Sequence, residues 1–385
     1  MTGIVYLDNA ATTQPDPAVV AAMSDALAET WGNPSSVHER GKQAKMAVET
    51  ARNWIAKLAG CHADEVYFTS GGTEADNWAL EGAMDASDNS HNHFVVSSIE
   101  HHAVLDCAKA LDKAGAMMSI VPVSKDGYVD PADVEKAIRP ETILVSVMHV
   151  NNELGTIQPI EKIGEICRRR GVLFHSDCVQ SFGKLPLNFS SMELDMISIS
   201  AHKIHGPKGS GALIVRRGTQ LGRRQHGGSQ ERGRRTGTEN VAGIVGFGKA
   251  AELCLENMRS EGEGIRKLRD ACERELRSRI ADLIVNGGSE RAANILSVRV
   301  PGCDGEELLI ALDMQGICVS TGAACSAGAT GASHVMMSLG LSTEEARSSL
   351  RISFGRFSKE SDVRALVEAL PKIVTRQREH RRATA

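Results

Sequence analysis

Two residues at the ends of apolar runs set the chemistry. Lys203 closes Ser200-Ala201-His202-Lys203, straight after the run Met196-Ile197-Ser198-Ile199. Asp177 follows Gly171-Val172-Leu173-Phe174-His175-Ser176 and leads into Cys178-Val179-Gln180. One strand stopping on an acid and a second stopping on a lysine suit a single cofactor. Pyridoxal 5'-phosphate needs an amine to hold its aldehyde as a Schiff base and a carboxylate to keep its ring nitrogen protonated. A lysine after a strand is ordinarily just solvated, but here the rest of a phosphate-cofactor site accompanies it. In Thr69-Ser70-Gly71-Gly72-Thr73-Glu74-Ala75-Asp76-Asn77, Gly71 and Gly72 let the backbone approach a phosphate, and Thr73 adds a hydroxyl at a helix N-terminus. This is no Walker loop, since no Gly-Lys-Ser/Thr follows at the right offset, and Gly206-Pro207-Lys208-Gly209-Ser210-Gly211 fails the same test.

Glu100-His101-His102 comes just after the strand-like run that begins at Phe94. With His91 and His93 it suggests metal, but adjacent histidines cannot both face one ion, and no cysteine or acid stands at ligand spacing. His101 is instead expected to end the strand and lie flat on the cofactor ring. Cys325 sits in Ser320-Thr321-Gly322-Ala323-Ala324-Cys325-Ser326-Ala327-Gly328-Ala329-Thr330-Gly331, a stretch with no large apolar side chain to bury. Such a thiol is expected to be accessible on a mobile loop, as a nucleophile or sulfur carrier must be. Cys318, among Val and Ile, is expected to be a buried structural cysteine.

The elements that would position these residues are readable as alternating short apolar runs and helical stretches from residue 65 to 215. Strands are expected at Val66–Thr69, Phe94–Ser97, Met118–Val121, Ile143–Val147, Val172–His175, Met196–Ile199 and Ala212–Val215. Several are apolar on both faces, which predicts an α/β fold with a mostly parallel seven-stranded sheet covered by helices. Ligands bind such sheets at the carboxyl ends of the strands. A long helical pattern from about Ile244 to Leu276 precedes strand-like runs at 283–285, 295–300 and 350–354. These predict a large cofactor-binding domain over 15–255 and a smaller α+β domain, built from 1–14 and 256–385, that carries the Cys325 loop.

At 385 residues with a net charge of -4, nothing global steers the chain to nucleic acid or to an anionic membrane. Its apolar runs are too short to span a bilayer. No signal peptide is apparent at Met1–Asp8. Nine cysteines without a Cys-x-x-Cys pair read as reduced thiols of the cytoplasm. Arg376, Arg378, Arg381 and Arg382 in the last helical turn complement its dipole.

Taken together, the chain resembles the cysteine desulfurases, NifS/IscS-like fold-type-I pyridoxal-phosphate enzymes of the class V aminotransferase family. The likeness runs from Tyr6-Leu7-Asp8-Asn9-Ala10-Ala11-Thr12-Thr13 and Gly32-Asn33-Pro34-Ser35-Ser36-Val37-His38 through Glu100–Leu105, His149–Glu153 and Ser200–Lys203. It continues through Gln230–Thr238 and Leu350–Arg356. The resemblance implies that Lys203 holds the cofactor and moves the substrate α-proton, Asp177 pairs with the ring nitrogen, Gln180 meets the phenolic oxygen and His101 stacks on the ring. It implies that Gly72, Thr73, Ser200 and His202 hold the phosphate, with Thr238 reaching it from a second subunit of a homodimer. Asn152 and Arg351 would take the substrate carboxylate, and Cys325 would carry the sulfur of L-cysteine as a persulfide to an acceptor protein of the iron–sulfur scaffold type.

Departures from the family pattern are small: Ala323 and Ser326 beside Cys325, Cys178 in place of a usual alanine, and Ala201 in place of a frequent glycine. The chain stops at Ala385 where housekeeping relatives continue with a scaffold-docking tail, so the acceptor stays open. The alternatives are a related pyridoxal-phosphate lyase or aminotransferase, of which an aminotransferase would not need Cys325, and a non-enzymatic sulfur carrier, which would not need the cofactor.

Overall fold

The computed structural model describes residues 3–88, 91–322 and 332–384. Twelve strands are present among them: β1 (Val5–Tyr6), β2 (Val66–Thr69), β3 (His93–Ser97), β4 (Met117–Val121), β5 (Thr142–Ser146), β6 (Leu173–Asp177), β7 (Met196–Ser200), β8 (Gly211–Val215), β9 (Ile284–Val285), β10 (Ile295–Arg299), β11 (Ile317–Cys318) and β12 (Ser349–Ser353). β2 to β8 form one seven-stranded sheet in the order β2-β8-β7-β6-β5-β3-β4. The pairs β3–β4, β3–β5, β5–β6 and β6–β7 are parallel, whereas β8 runs antiparallel to both β7 and β2. β2, β3, β5, β7 and β8 are buried at every residue, as strands covered on both faces must be. The edge strand β4 is the exception, leaving Met117 and Ile120 exposed. The fold is that of a fold-type-I pyridoxal-phosphate enzyme.

Two apolar layers sandwich this sheet. One gathers Val95, Val145, Phe174, Ile197, Ile199 and Phe247, and the other Trp78, Phe94, Leu144, Met196 and Leu213. Alternate residues of β3, β5 and β7 supply the two layers, as a period of two requires. A third cluster joins the two chain ends: Leu7, Leu296, Val298, Ile317, Leu350, Ile352 and Leu366 pack together. There β12-β10-β9 make an antiparallel sheet, and β1 pairs in parallel with β11. The helix Val241–Arg279 links the two regions, with Phe247 and Cys254 in the first core and Cys272 and Leu276 in the last.

Cys318 departs from expectation. β11 is two residues long, and the thiol lies half-buried at its end while Ile317 and Val319 take the buried positions.

Candidate functional site

The carboxyl ends of β6 and β7 lie side by side, because the two strands are parallel neighbours with Asp177 opposite Ser198. Asp177 is the last residue of β6, and Lys203 closes a single 3-10 turn, Ala201–Lys203, directly after β7. Both line a cavity of about 300 Å³ together with Gly72, Thr73, His101, Asn152, Gln180, Ser200, His202 and Arg351. An outer cavity of about 370 Å³ shares Gly72, Thr73, Ser200 and His202 and adds Ser70, Glu74 and Lys208.

Lys203 Nζ donates to the carbonyls of Ala10 and Ala11, both at 2.7 Å. These two backbone carbonyls hold the amine in place at the cavity. Asp177 Oδ1 accepts from Val179 N at 2.8 Å, and burial pushes its carboxyl above the ordinary range, opposed by that bond and by Lys203. Gln180 donates through Nε2 to Ala10 O at 2.8 Å. Arg351, on β12, is 2 % exposed; it donates to Asp8 Oδ1 at 2.7 Å and to the Asn152 carbonyl at 3.0 Å, and its Nε has no hydrogen-bond partner among the described residues.

His101 does not end the strand. β3 stops at Ser97, the chain turns through Ser98–Glu100, and His101 caps the helix His102–Lys113 by accepting from Ala103 N at 3.1 Å. The turn is needed because Glu100 is drawn inward, where Ser97 Oγ and Met148 N bond its carboxylate. With Nδ1 accepting, the ring proton belongs on Nε2. Burial and then Lys203 push the imidazole down to about 4, so His101 is neutral at pH 7.

Thr73 is the second residue of the helix Gly72–Ala86, whose N-terminus opens on the outer cavity. Close approach demands glycine twice here. A Cβ on Gly72 would lie 2.7 Å from Val179 Cγ2, and one on Gly211 only 2.6 Å from Gly71 Cα. The helix dipole and free amides at that point favour an anion.

Thr238 is exposed and does not line either cavity. Cys325 lies outside the described residues, and the flanking Gly322 lines the inner cavity. His93 is buried between Thr142 and Ser119, and His91 pairs with Asp88 at the surface, so neither approaches His101 as a joint ligand set.

Sequence reading missed Asp76, which lines the inner cavity beside Asp177. Burial and the Asp177 charge both raise its carboxyl well above the usual range, and Oδ1, 3.6 Å from His175 Nε2, has no hydrogen-bond partner among the described residues. Asp76 falls three residues after Thr73 on one helix, hence on the same face, and that spacing was the available signal. The Ala10 and Ala11 carbonyls carried no signal at all, because a backbone acceptor has no sequence signature.

The donor set fits pyridoxal 5'-phosphate. An amine and a carboxylate face one cavity, an anion-favouring helix end opens on its neighbour, and a buried guanidinium N–H lacks an acceptor among the described residues.

The whole-chain comparisons agree. The aminotransferase class-V family model matches residues 5–366, and the chain belongs to that family. Its cofactor is pyridoxal 5'-phosphate. The chain is 44% identical over 378 residues to the cysteine desulfurase IscS of Clostridium botulinum strain Hall, covering 97% of this chain and 95% of that one. Among solved structures, a NifS-like protein superposes with a TM-score of 0.91 at 35% identity, covering 97% of this chain and 99% of that chain. The structure of SspA in complex with cysteine gives a TM-score of 0.82 at 34% identity, with 92% and 99% covered.

Proposed function

We propose that the protein is a cysteine desulfurase that converts L-cysteine to L-alanine and leaves the sulfur as a persulfide on Cys325. The juxtaposition of Lys203, Asp177 and the half-satisfied Arg351 around one cavity carries this reading. Bound pyridoxal phosphate supplies an aldehyde that condenses with amines and a ring that withdraws electrons from the attached carbon. Lys203 would hold that aldehyde and, once its amine is freed, would take the α-proton of the substrate. Asp177, in a buried setting, would pair with the ring nitrogen, and neutral His101 would stack on the ring. Gly72, Thr73, Ser200 and His202 hold the phosphate. Arg351 and Asn152 orient the substrate carboxylate, with the unpartnered Nε as one of the two donors of a bidentate pair.

Cys325 thiolate attacks the substrate sulfur. A sulfur–sulfur bond forms as the carbon–sulfur bond breaks, and the carbon skeleton keeps the electron pair, is protonated and leaves as alanine. No external oxidant is needed. The relatives named cysteine desulfurase and the cysteine-bound neighbour support cysteine over other amino acids.

The finer reading is a cytoplasmic homodimer that hands sulfur to an acceptor of the iron–sulfur scaffold type, with Thr238 completing the partner's phosphate site. The exposure of Thr238 away from its own cavity supports that arrangement, as do the exposed Trp31, Val37 and Met46. Among the described residues, no helix is long and apolar enough to cross a membrane.

The test is an assay of alanine and sulfide from L-cysteine with reductant present. Equal amounts of the two are expected from the wild type and neither from Lys203→Ala, which should also lose the yellow colour. A keto acid in place of alanine would instead identify an aminotransferase, and wild-type turnover by Lys203→Ala would remove Lys203 from the chemistry.

A further inference from the structure

Lys184 belongs to none of the motifs behind the site reading, yet it holds one of the site's side chains. Its Nζ donates to the Gln180 carbonyl at 3.2 Å and to Gln180 Oε1 at 3.1 Å. The other end of the same amide, Nε2, donates to Ala10 O at 2.8 Å, and that carbonyl also accepts Lys203 Nζ at 2.7 Å. An ammonium has only donors, and a backbone carbonyl only accepts. The two neighbours therefore demand one orientation of an amide whose two ends have nearly the same shape. A flipped amide would set oxygen against the Ala10 oxygen and NH₂ against the ammonium. In the orientation found, the second N–H of Nε2 remains for the cavity that Gln180 lines.

We propose that Lys184 is a positioning residue that locks Gln180 so that an N–H, and not a carbonyl oxygen, meets the phenolic oxygen of the bound cofactor; this rests on the cofactor-site reading above. Lys184 works from behind the site. It lines a separate cavity of about 50 Å³ with Asn294, Met258, Glu261, Ile265 and Arg356, on the side of Lys203 that faces the chain ends. Its surroundings hold several charged or titratable groups: Lys203, Cys254, Arg356, Glu261 and His205. Burial, followed by Lys203, pushes the ammonium down to about 7; in either charge state Lys184 keeps N–H donors for Gln180 Oε1, while the Ala10 carbonyl, which only accepts, holds the Nε2 end.

A donor at the phenolic oxygen stabilises negative charge there, which lowers the pH at which the Lys203-bound cofactor changes colour. An oxygen turned toward it would raise that pH. The experiment is a pH titration of the visible absorbance of the loaded protein without substrate. Gln180→Ala and Lys184→Met are each expected to raise the midpoint by about one pH unit, the scale of a hydrogen bond to a charged group. The double variant should show no more shift than Gln180→Ala alone, because Lys184 acts through Gln180. Lys184→Arg, with donors retained and the neighbouring cavity to take its extra bulk, should keep the wild-type midpoint. Lys184→Leu carries the same expectation as the methionine, should that variant not accumulate folded. A moved midpoint in Gln180→Ala with none in Lys184→Met overturns the inference. So does a Lys184→Met shift that persists in full in the Gln180→Ala background, which would mark a through-space charge effect. An unmoved midpoint in Gln180→Ala overturns the underlying site reading, and this inference with it.

Discussion

Burial sorts the titratable side chains around the cavity into charge states suited to their positions. The His101 and His175 imidazoles are pushed down to about 4 and about 3, so both stay neutral, while the carboxyls of Asp177, Asp76 and Glu100 are pushed up. His175 sits in β6 with Nδ1 against Ser146 Oγ at 2.8 Å and Nε2 against Ser198 Oγ at 2.9 Å. Two hydroxyls serve a neutral ring as well as a charged one, and Asp76 Oδ1, 3.6 Å from Nε2, belongs to a carboxyl that burial itself pushes toward the uncharged form, so desolvation dominates. The consequence for stability has a definite sign. Below the unfolded value of 6.5 the unfolded chain takes up a proton that folded His175 refuses. Stability is thus lost as pH falls from about 6.5 toward about 3, by roughly 2 kcal/mol at pH 5 from this residue alone. Glu100, raised to about 8 mainly by burial, acts in the opposite sense over the same window. The readable quantity is therefore a difference between proteins. Between pH 7 and pH 5, wild type should lose about 2 kcal/mol more than His175→Asn in urea unfolding. Equal losses in the two proteins would show that His175 does not titrate in this way.

At the level of elements, the loop that carries Thr238 is held by a buried ion pair. Glu231 accepts from the two terminal guanidinium nitrogens of Arg52, at 2.9 and 2.8 Å, and from the Phe68 amide at 2.8 Å. Glu231 and Arg232 both adopt positive φ, 45° and 56°, a strained state for non-glycine residues that needs such an anchor. Arg52→Met should cost roughly 3–5 kcal/mol by leaving the carboxylate buried and unpaired. A change in unfolding free energy below about 1 kcal/mol would place the pair among those worth little. None of this anchoring was legible in the sequence, because Arg52 and Glu231 are far apart in the chain and no periodicity joins them. The strands of the large sheet were legible to within a residue or so at most ends, since runs apolar on both faces admit few other readings. The placement of Gly71, Gly72 and Thr73 at the outer cavity was legible for the same local reason, because they are adjacent in the chain. His101 was placed correctly at the cavity for a wrong reason. The inward draw of Glu100, which separates His101 from β3, depends on Met148 from another segment.

The whole molecule draws its site from both ends of the chain. Asp8, Ala10 and Ala11 come from the start, Arg351 from β12, and Lys203 and Asp177 from the middle. The proposed dimer adds Thr238 from a second copy. Mixing and randomly re-pairing equal amounts of two inactive proteins, Lys203→Ala and Thr238→Ala, should restore about a quarter of the wild-type activity, because about half of the dimers are then hybrids. One of the two sites in each hybrid then holds an intact Lys203 and an intact Thr238. No recovery from hybrids shown to have formed would return Thr238 to its own subunit or to no role. The central claim, that Cys325 takes sulfur from cysteine at the Lys203 site, is tested most directly by mass spectrometry. The loaded protein is mixed with L-cysteine without reductant, digested and searched for the Cys325 peptide. The account predicts one added sulfur atom on that peptide, one alanine released per sulfur held, and neither product from Cys325→Ser. Protein-bound sulfur that persists in Cys325→Ser, or alanine formed with Cys325 unmodified, would contradict it.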